Sequence, residues 1–175
     1  MFIFIESMIN FSLRNLAITL GTAWLCAASA AYAERHALVI GNDAYQHSRK
    51  LDNPVNDATD LAKSLQGAGF QVTPLANGTH ESMEKAVKSF ANKLTPADTA
   101  LFFFAGHGMQ IKGLTYLIPV DAEADSPESL KYEAMSLDFV LDLLHRLEHE
   151  HREVLDVHAL VDGLLQLQLL LVVLR

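Results

Sequence analysis

The stretch that most restricts the fold is Thr99-Ala100-Leu101-Phe102-Phe103-Phe104-Ala105-Gly106-His107-Gly108. A Phe-rich apolar run stops abruptly in small residues that flank one histidine. The run shows no polar alternation, which predicts a strand covered on both faces, as in a parallel sheet. In such sheets ligands and catalytic groups lie just beyond the carboxyl ends of the strands. His107 occupies that position. The flanking glycines let the backbone turn sharply and approach a substrate closely. His107 is therefore the first candidate catalytic residue.

The preceding chain supplies the partners of such a strand. His36-Ala37-Leu38-Val39-Ile40 reads as a first strand, turned by Gly41, Asn42 and Asp43. A polar loop through Tyr45, His47 and Lys50 reads as surface, unless the fold brings it to the edge that carries His107. Asn53-Pro54-Val55-Asn56-Asp57 opens a helix, with Asn56 as the expected N-cap and Asp57 favoured in the first turn by the helix dipole. Ala58, Leu61, Ala62 and Leu65 form its apolar face, and Gly67 and Gly69 stop it. Phe70 to Leu75 alternates enough to predict a strand near a sheet edge. Asn77-Gly78 turns the chain, and Thr79 caps a second helix carrying Met83, Val87, Phe90 and Leu94. The order strand, helix, strand, helix, strand predicts a doubly wound α/β sheet with right-handed crossovers.

The second half is less regular. Gly113 marks a turn, and Leu114 to Pro119 predicts a short strand or hairpin arm. Asp121 to Glu128 is acidic, contains Pro127 and reads as a loop. Ser136 is the expected cap of a third helix with Leu137, Val140, Leu141, Leu144 and Leu147 on its apolar face. Glu153 to Val157 reads as the next parallel strand. From Leu164 to Arg175 nearly every residue is Leu or Val. That segment reads as a buried final helix or strand, or as a tail from a shifted reading frame, which would aggregate if exposed.

Composition narrows the function classes. A formal net charge of -8, with no compact basic patch, argues against nucleic acid as a partner. Residues 1–33 have the layout of a secretory signal peptide: Arg14 and Asn15, an apolar segment from Leu16 to Ala30, and Ala31-Tyr32-Ala33 as a small-x-small cleavage site. Met8 makes a more ordinary start than Met1. The rival reading is an uncleaved anchor, but the apolar segment is short for a span of roughly 20 residues. The predicted location is the periplasm or the extracellular space. Cleavage after Ala33 removes Cys26, the chain's one cysteine. The exported form would then hold no disulfide, no sulfur ligand for a metal and no thiol nucleophile. His145, His149, His151 and His158 lie near Glu148 and Glu150, yet no His-Glu-x-x-His arrangement is present, and the run reads as a solvated helix end. No Gly-x-Ser-x-Gly elbow points to a serine hydrolase, and no cofactor or metal is expected.

Taken together these pieces resemble the caspase-like cysteine peptidases, the group of caspases, metacaspases and paracaspases. The likeness rests on His36 to Asn42, Leu51-Asp52-Asn53-Pro54-Val55-Asn56-Asp57-Ala58, Leu65 to Phe70, Phe102 to Gly108, Tyr116-Leu117-Ile118-Pro119-Val120-Asp121 and the helix opened by Ser136 and Leu137. The resemblance implies a three-layer αβα fold with a mostly parallel sheet, and peptide-bond hydrolysis of peptide or protein substrates. It makes His107 the catalytic base and the Gly108 N–H an oxyanion donor. In that family the base pairs with a cysteine at the end of the next core strand. Here that strand reads Val154-Leu155-Asp156-Val157-His158, and His158 stands in the cysteine's place. An imidazole is bulkier than a thiolate and less nucleophilic toward amides. Asp57 is a candidate lining residue of a substrate pocket or simply favours the helix start. Asp156 is likewise a pocket residue or a strand-end carboxylate with local hydrogen bonds.

Three readings of the whole follow, with expected boundaries of 1–33 for the signal peptide, 34–158 for a partial caspase-like domain and 159–175 for an atypical tail. The chain is an exported member of a cysteine endopeptidase family that lacks its nucleophile. Alternatively it is a non-catalytic peptide-binding or assembly domain. Or it is a frame-shifted fragment, incomplete at its C-terminus, whose central strand is left with an open edge prone to self-association.

Overall fold

In the computed structural model, residues 33–96, 98–123, 126–145, 154–159 and 167–174 are described. The elements run β1 (Arg35–Gly41), α1 (Pro54–Gly67), β2 (Gln71–Ala76), α2 (His80–Lys93), β3 (Thr99–Gly106), β4 (Gly108–Ile111), β5 (Leu114–Leu117), α3 (Pro127–Glu133), β6 (Met135–Ser136), α4 (Leu137–His145), β7 (Val154–Ala159) and β8 (Leu167–Leu174). The large sheet has the order β2-β1-β3-β8-β7. Its core is parallel: β1 pairs with β2 and with β3 in that sense.

The missing alternation in β1 and β3 has its explanation in two cores. Leu38, Ile40, Phe102 and Phe104 face one side and meet Met83, Val87 and Phe90 of α2 and Val140 and Leu144 of α4. Ala37, Val39, Leu101, Phe103 and Ala105 face the other and meet Ala58 and Ala62 of α1. The result is a mixed α/β fold, helix layers on both faces of the sheet, as the αβα expectation required. Where α1 crosses β1 the approach is close: a Cβ on Gly41 would lie 2.7 Å from the Pro54 carbonyl oxygen and 2.8 Å from the Ala58 Cβ. Among the described residues β2 pairs only with β1, so the missing N–H of Pro74 costs the sheet nothing on the outer side.

Several expectations need correction. α1 begins at Pro54 with Asn53 in the cap position, so Asn56 is not the cap; it lies in the first turn. Proline fits the first helical position, where its absent N–H has no intrahelical partner to lose. The same property corrects the expectation of a loop from Asp121 to Glu128. Pro127 opens α3, and Ser126 and Ser129 form a reciprocal capping box in front of it. β4, with four residues, is too short to show a period in the sequence; it joins β5 through Lys112 and Gly113, both at positive φ (51° and 85°), a two-residue hairpin turn.

The largest correction concerns the far side of β3. The strand expected beside it, β7, does not pair with it. β8 lies between them, antiparallel to both. Within the Leu/Val-rich tail, Leu167–Leu174 is thus a strand. The open edge expected on β3 is occupied by β8, and β7 is the outer strand on that side.

Candidate active site

The site lies at the carboxyl edge of the parallel strands. His107 follows β3 directly and is half-buried. Four segments meet around it: the loop after β1, the turn after β2, the end of β3 and residues 118–121. Asn42, fully buried, ties them together. Its N–H donates to the Ala105 carbonyl at 2.8 Å. Its side-chain amide donates to the Ile118 carbonyl at 3.2 Å, and its side-chain oxygen accepts from the Gly78 N–H at 2.8 Å. Asn77, at φ 53°, accepts from the N–H groups of Asp43 and Ala44, both at 2.9 Å. Asp121 Oδ1 accepts the His80 N–H at 2.9 Å, so a carboxylate sits at the positive end of α2.

The polar loop does come to the edge of His107. The Tyr45 hydroxyl accepts the His107 backbone N–H at 2.6 Å and donates to the Ile118 carbonyl at 3.3 Å. The two rings make a tilted contact, with centroids 4.4 Å apart and planes inclined by 48°. Burial pushes the Tyr45 phenol well above its usual value, against the lowering effect of the His107 N–H; nearby Asp43 raises it further. The phenol therefore keeps its proton at neutral pH and remains a donor. Gly106 must lack a side chain, because a Cβ there would lie 2.6 Å from the Tyr45 hydroxyl oxygen.

The imidazole is oriented by the same loop. His107 Nε2 lies 2.7 Å from the Arg49 carbonyl oxygen. A carbonyl only accepts, so Nε2 carries the proton. In the neutral ring Nδ1 then bears the lone pair, the form a general base needs. Gly108 comes next. The Ile118 N–H donates to the His107 carbonyl at 2.9 Å, and Gly108 stands opposite Leu117 in the β4–β5 ladder. That register makes Gly108 and Leu117 a non-hydrogen-bonded pair. The Gly108 N–H is directed away from β5.

The other candidates fall elsewhere. Asp57 is exposed in the first turn of α1, at the same sheet edge, and its N–H donates to the Asn53 carbonyl at 2.9 Å. His158 stands opposite Leu170, which stands opposite Phe104. Its backbone therefore lies two strand spacings from β3, about 10 Å, with β8 between. Asp156 is on the Val172 and Phe102 row, deeper in the sheet than its edge. Cys26, His149 and His151 lie outside the described residues. Among the described residues no group of three or more His, Cys, Asp or Glu could hold a metal ion. No described helix is long and apolar enough to cross a membrane.

Tyr45 and the Arg49 carbonyl are the participants that sequence reasoning left conditional. Only the fold joins residues 62 positions apart. Tyr45→Phe removes the acceptor of a part-buried N–H and is expected to cost about 1–3 kcal/mol, read as a lowered denaturant midpoint. An unchanged midpoint would show that the hydroxyl is dispensable.

Comparison with known proteins gives the family. Residues 34–156 match the caspase domain of the C14 peptidases. The chain is similar to the mucosa-associated lymphoid tissue lymphoma translocation protein 1 of Homo sapiens, 35% identical over 89 residues, which is 51% of this chain and 11% of the human protein. The Mus musculus homolog matches with the same identity and coverage. The chain thus spans about a tenth of the length of these curated relatives. With the match covering most of the chain, and the helix-flanked parallel sheet ending in Gly-His-Gly beneath it, this protein belongs to the caspase-like C14 peptidase family.

Proposed function

We propose that the chain is an exported caspase-fold domain that keeps the base of a cysteine peptidase centre but not its nucleophile. The carrying observation is the 2.7 Å contact between His107 Nε2 and the Arg49 carbonyl, which leaves Nδ1 as the basic nitrogen. In acyl transfer such a base draws the proton from a thiol, and a backbone donor such as the Gly108 N–H stabilises the tetrahedral oxyanion, worth roughly 3 kcal/mol. Residues 34–175 contain no cysteine, and His158, which the resemblance puts in the cysteine's place, lies two strands away from β3. Peptide or protein is the proposed ligand, bound along the edge that carries His107 without turnover. Asp57, in the first turn of α1 at that edge, is the candidate carboxylate for a basic side chain of that ligand; Asp156, deeper in the sheet on β7, is not. Self-association by strand addition would use the outer side of β7 or of β2, since β8 fills the place next to β3.

The test is a thiol-directed covalent peptide probe on the exported form, with a fluorogenic peptide assay beside it. Neither labelling nor hydrolysis is expected. Labelling would place a cysteine in the mature chain, and hydrolysis lost in His107→Ala would show a working centre; either result overturns the proposal.

A further inference from the structure

The opposite edge of the sheet holds a small polar network that the site chemistry does not use. Asp98, in the turn before β3, is 5% exposed. Its carboxylate accepts the Thr95 N–H at 2.7 Å and the Thr95 hydroxyl at 2.9 Å. It also accepts the backbone N–H of Glu34 at 2.9 Å. Glu34 is itself held in place, because its carbonyl accepts the Thr99 N–H at 2.8 Å. His36 Nε2 lies 3.2 Å from the Glu34 carboxylate and 3.9 Å from Asp98, and Gln71 Nε2 donates to Glu34 at 2.8 Å. The Arg35 guanidinium points elsewhere, donating to the Ala68 carbonyl at 3.2 Å.

Glu34 is also the residue that follows the small-x-small motif Ala31-Tyr32-Ala33. We infer that leader removal after Ala33 turns the Glu34 backbone nitrogen into an α-ammonium that forms an ion pair with the buried Asp98 carboxylate. This rests on the proposed export of the chain and adds to it a defined seat for the new terminus. The step balances with one water and a leader peptidase acting in trans. The Ala33–Glu34 amide breaks, Ala33 leaves as a carboxylate with the leader, and the Glu34 nitrogen takes up the protons of an ammonium at neutral pH. The donor stays where the amide N–H already is. What changes is its charge, which converts a hydrogen bond to a carboxylate into a stronger charge-assisted one. Processing thereby locks the first strand to the turn that launches the central one.

The experiment uses the full chain expressed with export. Mass spectrometry and N-terminal sequencing identify the first residue, and isotope-labelled reductive methylation followed by NMR titrates the α-amine in folded protein. An opposite charge at this distance is expected to raise the amine by about one unit or more over its ordinary 7.7–8.0. Urea-unfolded protein supplies the reference, so the reading survives if Asp98→Asn fails to fold; if that variant folds, its amine should return to the ordinary range. A Glu34 amine that titrates alike in folded and unfolded protein overturns the ion pair and leaves export standing. A mature terminus at another residue overturns the ion pair too. Retention of the whole leader overturns the cleavage on which both the ion pair and the cysteine-free exported form rest.

Discussion

Phe103→Ala is expected to lower the unfolding free energy by about 4–5 kcal/mol, the upper part of the range for a buried aromatic cut to alanine. Phe103 is 1% exposed on the α1 side of the sheet, where four of its buried companions, Ala37, Ala58, Ala62 and Ala105, are alanines. Alanine has no reach with which to close a void, so most of the cavity persists. Phe102→Ala on the opposite side should cost less, about 3 kcal/mol. There Met83, Phe90 and Leu94 are available to shift, and methionine adapts well to irregular gaps. Urea unfolding of both variants decides the matter. Equal losses, or the reverse order, would refute the idea that side-chain reach governs the difference.

Asp98→Asn is the second large effect, an expected loss of about 2–3 kcal/mol at neutral pH, since hydrogen bonds to a charged group contribute about 1.5–3 kcal/mol. Burial alone would raise the Asp98 carboxyl. The Thr95 and Glu34 N–H groups, the Thr95 hydroxyl and nearby His36 outweigh it and hold the group below its ordinary 3.8. The sign follows from linkage. A depressed folded value means that the stabilisation is fully present above the unfolded value near 3.8 and is lost as pH falls through the lower folded value. The gap between wild type and variant should therefore be wide at pH 7 and shrink in strong acid. A gap independent of pH from 7 down to 2 would show that the charge of Asp98 contributes nothing.

The parallel core was legible because burial on both faces leaves a plain mark, the unbroken apolar runs of β1 and β3. The edge position of β2 was legible from its alternation. Thr79 was read as a cap and accepts the Ser82 N–H at 3.3 Å. Short elements escaped, because a four-residue strand such as β4 spans too few periods to declare itself. Prolines at helix starts look like breakers in a sequence, which shifts one boundary and hides α3. His107 itself could be singled out, because its position depends on the strand it follows. Its support could not. Tyr45 and Arg49 reach it only after β1 and β3 pair, and nothing local in the loop announces that meeting. The position of β8 was out of reach for a related reason, since Leu and Val runs suit a helix or a strand equally well until a partner is present.

The antiparallel seat of β8 sets a rule of exclusive occupancy. β3 offers one row of N–H and C=O groups on its outer flank, and β8 engages it from Ala100 to Gly106. Any other strand, whether it comes from this polypeptide or a different one, can reach that flank only by evicting β8. Delivery of a nucleophile to the neighbourhood of His107 along that flank is then a displacement reaction, governed by the difference between two strand pairings and not by the strength of either alone.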